Sequence, residues 1–142
     1  MSMDGNFYAM SNKQLEDVLA QEVDWSAFLY GELDEKPREV YSELNWHWYA
    51  MSRIFSVEGL HGSEFVEHIP EITSYAFAHE AGDHIDVLNN LSEDELKQRF
   101  DGLDEEERGG LTFDELMTYF NGLKEFFKRV NENQNAILFR VT

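Results

Sequence analysis

Residues 112–141 read TFDELMTYFNGLKEFFKRVNENQNAILFRV, and this stretch decides the fold class. Phe113, Leu116, Met117, Phe120, Leu123, Phe127 and Val130 recur every three or four residues, the spacing that lays one apolar stripe along an α-helix. Thr112 and Glu115 stand in the order of a capping box, in which each side chain satisfies the other residue's free backbone amide. Gly122 weakens such a helix only slightly. After the polar run 131–135, Ala136-Ile137-Leu138-Phe139-Arg140-Val141 has the length and β-branched content of a final strand.

At the other end, Phe7-Tyr8-Ala9-Met10 suits a first strand, and Ser11 with Gln14 opens a helix that buries Leu15, Val18 and Leu19. Pairing the first strand with the last would close a small sheet. Trp25, Phe28 and Leu29 repeat at helical spacing between Asp24 and Tyr30. Pro37 suits a first helical turn, and the helix is expected to run to about Phe55. Val40, Tyr41, Leu44, Trp48, Met51 and Phe55 would lie on one side of it, with Trp46 and Tyr49 displaced.

Gly59, Gly62 and Pro70 mark a loop-rich middle in which Phe65-Val66 and residues 72–77 fit either strand or helix. His79 to Asn90 reads as helix, and Ser92 with Glu95 opens another that reaches Phe100. No repeat or linker divides the chain. The expectation is one helix-rich α+β domain over residues 1–142, its small sheet formed from the amino- and carboxy-terminal strands.

At 142 residues, folding buries roughly two-thirds of the unfolded surface, and 11 Phe, 6 Tyr and 3 Trp supply large side chains for that core. Eleven basic residues against 29 acidic ones leave a formal charge of −18. A field of that sign repels nucleic acid and anionic membrane and speeds encounter with a basic protein surface. A salt-adapted or merely soluble surface is the alternative. The absence of cysteine excludes disulfides and thiol catalysis. Met1-Ser2-Met3-Asp4-Gly5 is not a basic segment leading into an apolar run, so no secretion signal is expected and the cytosol is the default location.

Residues 104–115 imitate a twelve-residue calcium loop, with Asp104 at position one, Gly109 at six, Leu111 at eight and Glu115 at twelve. Arg108 at position five puts a guanidinium where the cation would sit. A capped helix after a solvated acidic turn is therefore preferred, with Asp104, Glu105, Glu106 and Glu107 available as a contact surface. His79 and His84 are five apart rather than the four that places two ligands on one helix face, so no metal ligand is assigned. A nucleophile elbow, a phosphate-cradling loop and a dinucleotide fingerprint are absent, and neither a catalytic residue nor a cofactor is assigned. The helix that carries Tyr41, Trp46, His47, Trp48 and Tyr49 cannot bury them all on one stripe, which leaves Trp46 and Tyr49 to line a groove or meet a partner.

The opening Met1-Ser2-Met3-Asp4-Gly5-Asn6-Phe7-Tyr8, followed by Ser11 and a helix, resembles the start of the YfbM-like family of small bacterial proteins. Residues 91–101, Leu123-Lys124-Glu125-Phe126-Phe127 and Ala136-Ile137-Leu138-Phe139 are similar to that family's carboxy-terminal half in order and spacing. Leu44-Asn45-Trp46 leading to Gly59 is similar to its Trp-containing helix, with extra residues here before the glycine. The resemblance implies an α+β fold. The family is a domain of unknown function, so no catalytic residue carries over.

These features lead to the expectation of a non-catalytic acidic binding protein whose partner is a basic protein. An immunity protein that neutralises a bacterial toxin by blocking its basic surface is one such case. The alternative is a small ligand-binding or enzymatic domain in which Trp46 or Tyr49 walls a pocket and His47 or His84 acts within it.

Overall fold

The computed structural model describes residues 4–55, 64–69 and 72–142. Strand β5 (Ala136–Val141) lies at its centre, and all six of its residues are buried. Its apolar run has no polar alternation because both faces of a middle strand are covered. β1 (Gly5–Met10) pairs antiparallel with it, setting Phe7 opposite Phe139 and Tyr8 opposite Leu138. β4 (Thr73–Ala76) pairs along its other edge, with Tyr75 opposite Leu138. With β2 (Glu39–Tyr41) outside β1 and β3 (Glu64–Phe65) outside β4, the sheet order is β2-β1-β5-β4-β3. The pairing of terminal strands read from the sequence is therefore present.

Alternate side chains of the central strands feed two cores. Ala136 and Leu138, with Tyr8 and Met10, pack beneath α1 (Asn12–Leu19) and α2 (Trp25–Leu29). Ile137, Phe139 and Val141, with Phe7 and Ala9, face a larger core. That core takes side chains from α3 (Trp48–Ile54), α4 (Ala78–Ala81), α5 (Asp83–Asn90), α6 (Glu93–Asp101) and α8 (Phe113–Glu132). Short α7 (Glu105–Arg108) buries none of its own residues.

The capping boxes expected on α1 and α8 form in full, whereas the one expected at the start of α6 is realised in its Ser92 half, the hydroxyl accepting from the Glu95 amide. α8 buries Phe126 as well as Phe127, because its apolar face is wide enough to meet both the sheet and α5. A Cβ on Gly122 would stand 2.7 Å from the Tyr41 hydroxyl. The glycine thus lets the Tyr41 ring lie against α8, a gain set against about 1 kcal/mol of helix propensity.

The helix expected from Pro37 to Phe55 is the main departure. Its first part is β2, whose residues pair with Phe7, Tyr8 and Ala9, and only Trp48–Ile54 is α-helical. Glu39-Val40-Tyr41 fits an edge strand, with Val40 turned outward and Tyr41 inward, and the open edge of β1 supplies the partner that local spacing cannot reveal. Asn45 then adopts a left-handed φ of 51°, which stops a helix from running through. Residues 73–76 resolve as strand, and the helix read over residues 79–90 divides into α4 and α5 at Gly82. Gly59, His61, Gly62 and Pro70 lie outside the described residues.

Candidate functional site

Trp46 sits in a single 3-10 turn, Asn45–His47, between β2 and α3. Leu44 and His47 are three apart and both point into the protein, so the residue between them and beyond Asn45 is pushed outward. Trp46 is 60% exposed and Tyr49 is 48% exposed, while Trp48 turns inward onto Phe139. The displacement of Trp46 and Tyr49 from the buried stripe is thus realised, although through a turn and a short helix.

Tyr49 and Arg53 are four apart on α3 and share a face. The Arg53 guanidinium donates to Glu107 from Nε at 3.0 Å and from Nη2 at 2.9 Å, tying the end of α3 to α7. This ion pair brings together the aromatic and acidic groups that the sequence presents 54 or more residues apart. Asp104, Glu105 and Glu106 are exposed beside it, and Glu107 is half-buried.

The calcium-like spacing is used for helix caps. Asp104 accepts from the Glu107 amide at 2.8 Å, and Glu107 reaches back to the Asp104 amide. Arg108 lies 4.4 Å above the Phe100 ring and donates to the Phe100 and Asp101 carbonyls, capping the end of α6. Glu115 Oε1 accepts from the amide and hydroxyl of Thr112, each at 3.1 Å. Among the described residues, no three His, Asp or Glu side chains converge as a metal-binding group.

Beneath Trp46 lies a polar cluster that the sequence leaves scattered. The Trp46 ring centroid is 5.1 Å from that of His47, which is buried. His47 Nδ1 is 2.8 Å from the Tyr119 hydroxyl and 4.0 Å from Glu115 Oε2. Burial raises the Tyr119 pKa, as do the carboxylates of Glu115 and Glu43. Tyr41 is raised further by burial, then by Glu43 and Tyr119, and its hydroxyl has no partner among the described residues. Glu115 was legible as a cap and as the last position of the calcium-like loop, and Tyr119 carried no signal at all, because its role depends on a residue 72 positions away.

His84 belongs to a different environment. Its ring packs edge-on against Phe127 at 5.1 Å, and burial lowers its pKa to about 4 against a small opposing pull from Asp83. Tyr119 and Phe127 are eight residues apart on α8, about 12 Å along the axis, so the two histidines do not share a site. His79 is exposed on α4 beside Glu80, and the break at Gly82 separates it from His84. No helix of the described residues is long and apolar enough to cross a membrane.

Residues 1–140 match the family model of a domain of unknown function, DUF1877. The fold also matches the crystal structure of YfbM from Escherichia coli, a protein of unknown function, over 100% of both chains, with a TM-score of 0.63 and 17% identity. At that identity the likeness is one of fold. No curated protein matches the sequence. The YfbM-like resemblance read from the ends of the chain extends over its whole length.

Proposed function

The chain belongs to the DUF1877 family, and from that premise we propose that it is a non-catalytic acidic binding protein of the cytosol that captures a basic protein partner. A toxin whose basic active-site surface is covered, as an immunity protein would cover it, fits this chemistry. The observation that carries the reading is the α3–α7 corner. Exposed Trp46 and Tyr49 stand on the segment that the Arg53–Glu107 ion pair fastens to Asp104, Glu105 and Glu106. Large aromatics are frequent anchors of protein interfaces, and carboxylates around them steer a cationic surface into place. A formal charge of −18 extends that steering and disfavours direct contact with nucleic acid or anionic membrane.

The test is capture from bacterial lysate with the tagged chain at low and at high salt, with bound proteins identified by mass spectrometry. One basic protein held at low salt, weakened at high salt and lost with Trp46→Ala or Tyr49→Ala is the expected result. Absence of any specific partner under both conditions overturns the reading. A ligand-binding or enzymatic domain is the second reading, favoured by His47 lying between the Tyr119 hydroxyl and Glu115 under an exposed indole. It predicts that a small ligand shifts the His47 resonances while Tyr119→Phe abolishes that shift.

A further inference from the structure

We propose that the partner residue received at Trp46 is an arginine, stacked on the indole with an N–H edge toward Glu115; this rests on the acidic-binding reading above. Trp46 follows a left-handed Asn45 and lies against the buried His47 ring, which is itself hydrogen-bonded to Tyr119. Glu115 is held through Oε1 by Thr112, while Oε2 faces the same imidazole at 4.0 Å. An exposed indole and a half-buried carboxylate therefore both border the fixed His47 ring, and the hydrogen-bonded Glu115 has little side-chain freedom left to lose when a ligand binds.

The chemistry of that pair selects among cations. A π face attracts any cation, but a planar guanidinium can stack on it and still direct N–H groups sideways to a carboxylate. An ammonium offers a compact, strongly hydrated charge that cannot do both in one plane. Glu43, three residues before Trp46, adds negative charge, since its carboxylate acts on both Tyr41 and Tyr119. The nearby cation Arg53 is engaged with Glu107 on the α7 side. The site thus combines an aromatic platform with carboxylates, complementary to a basic segment that presents arginine.

Tri-arginine and tri-lysine peptides of equal charge are titrated into the whole chain, following the three indole N–H resonances by NMR, with affinities from calorimetry. The expected result is a shift of the Trp46 resonance larger than those of Trp25 and Trp48, with arginine preferred by about fivefold. Trp46→Ala should abolish the preference. Glu115→Gln, which retains a residue able to complete the capping box, should reduce it while the fold and its melting temperature stay close to the original. Equal affinity for the two peptides, no binding of either, or an arginine preference that survives Trp46→Ala each overturns the proposal. Should a basic partner still be captured in a salt-sensitive way in those cases, the acidic-binding reading stands without it; loss of both removes the two together.

Discussion

His47 and His84 are both buried and both pack against α8, yet their surroundings are opposite. His47 meets a phenol hydroxyl and a carboxylate near the amino-terminal end of α8. His84 meets the ring of Phe127 two turns further on, where its Nδ1 has no partner among the described residues. Burial is therefore a poor guide to a site. A shifted histidine gained by desolvation alone marks a core position, whereas an array of partners under an exposed aromatic marks a place where chemistry or recognition can be organised.

The contrast can be broken most severely at the apolar end. Phe127→Ala should cost about 3–5 kcal/mol in urea unfolding, because it opens a cavity between α5, α8 and the sheet. The same change should let the His84 pKa climb from about 4 toward 6.5, as followed by NMR. A value that stayed near 4 would mean that other walls of the core keep the imidazole dry.

Next in size is the pH dependence. His84 has its folded pKa below the unfolded value of 6.5, so a proton binds the unfolded chain more readily. Its contribution to stability is complete above pH 6.5 and is lost as the pH falls from there toward 4. His84→Leu should therefore reduce the stability lost between pH 7 and pH 5 by about 2 kcal/mol, measured by urea titrations at the two pH values. Identical losses in the two proteins would show that the imidazole titrates as it does in water.

At the polar end the effects are smaller. Tyr119→Phe removes the hydroxyl that faces His47 Nδ1 and should cost about 1–2 kcal/mol by thermal or urea unfolding. A neutral result would show that the imidazole finds another partner. Tyr41→Phe should leave stability unchanged or raise it by up to about 1 kcal/mol, since the hydroxyl it deletes is buried without a partner among the described residues. A clear loss would reveal a hydrogen bond made by that hydroxyl.

Legibility followed range. The stripe and capping box of α8 involve residues at most four apart, and both form as the spacing implies, with Phe126 added because two neighbours cover a wider face. Trp46 and Tyr49 were separable from their buried neighbours by the same kind of spacing, and both are exposed. The helix expected over residues 37–55 failed at β2 because Val40 and Tyr41 fit either period, and the choice between them lay in the unpaired edge of β1. Gly122 looked like a small defect and turned out to be where the Tyr41 ring rests on α8.

The acidity of the surface, the caps and stripes of the helices, and the apolar terminal strands are all legible along the chain. Each of these is written in composition or within a few neighbouring residues. That Glu39–Tyr41 is strand, that Arg53 fastens the aromatic segment to the α7 acids, and that Glu115 and Tyr119 meet His47 emerges only when the chain packs. Those contacts span 54 to 72 positions in two of the cases, and no local period records them. They exist because packing the sheet against α8 minimises exposed apolar surface, and the polar groups are left to satisfy one another where that packing brings them together.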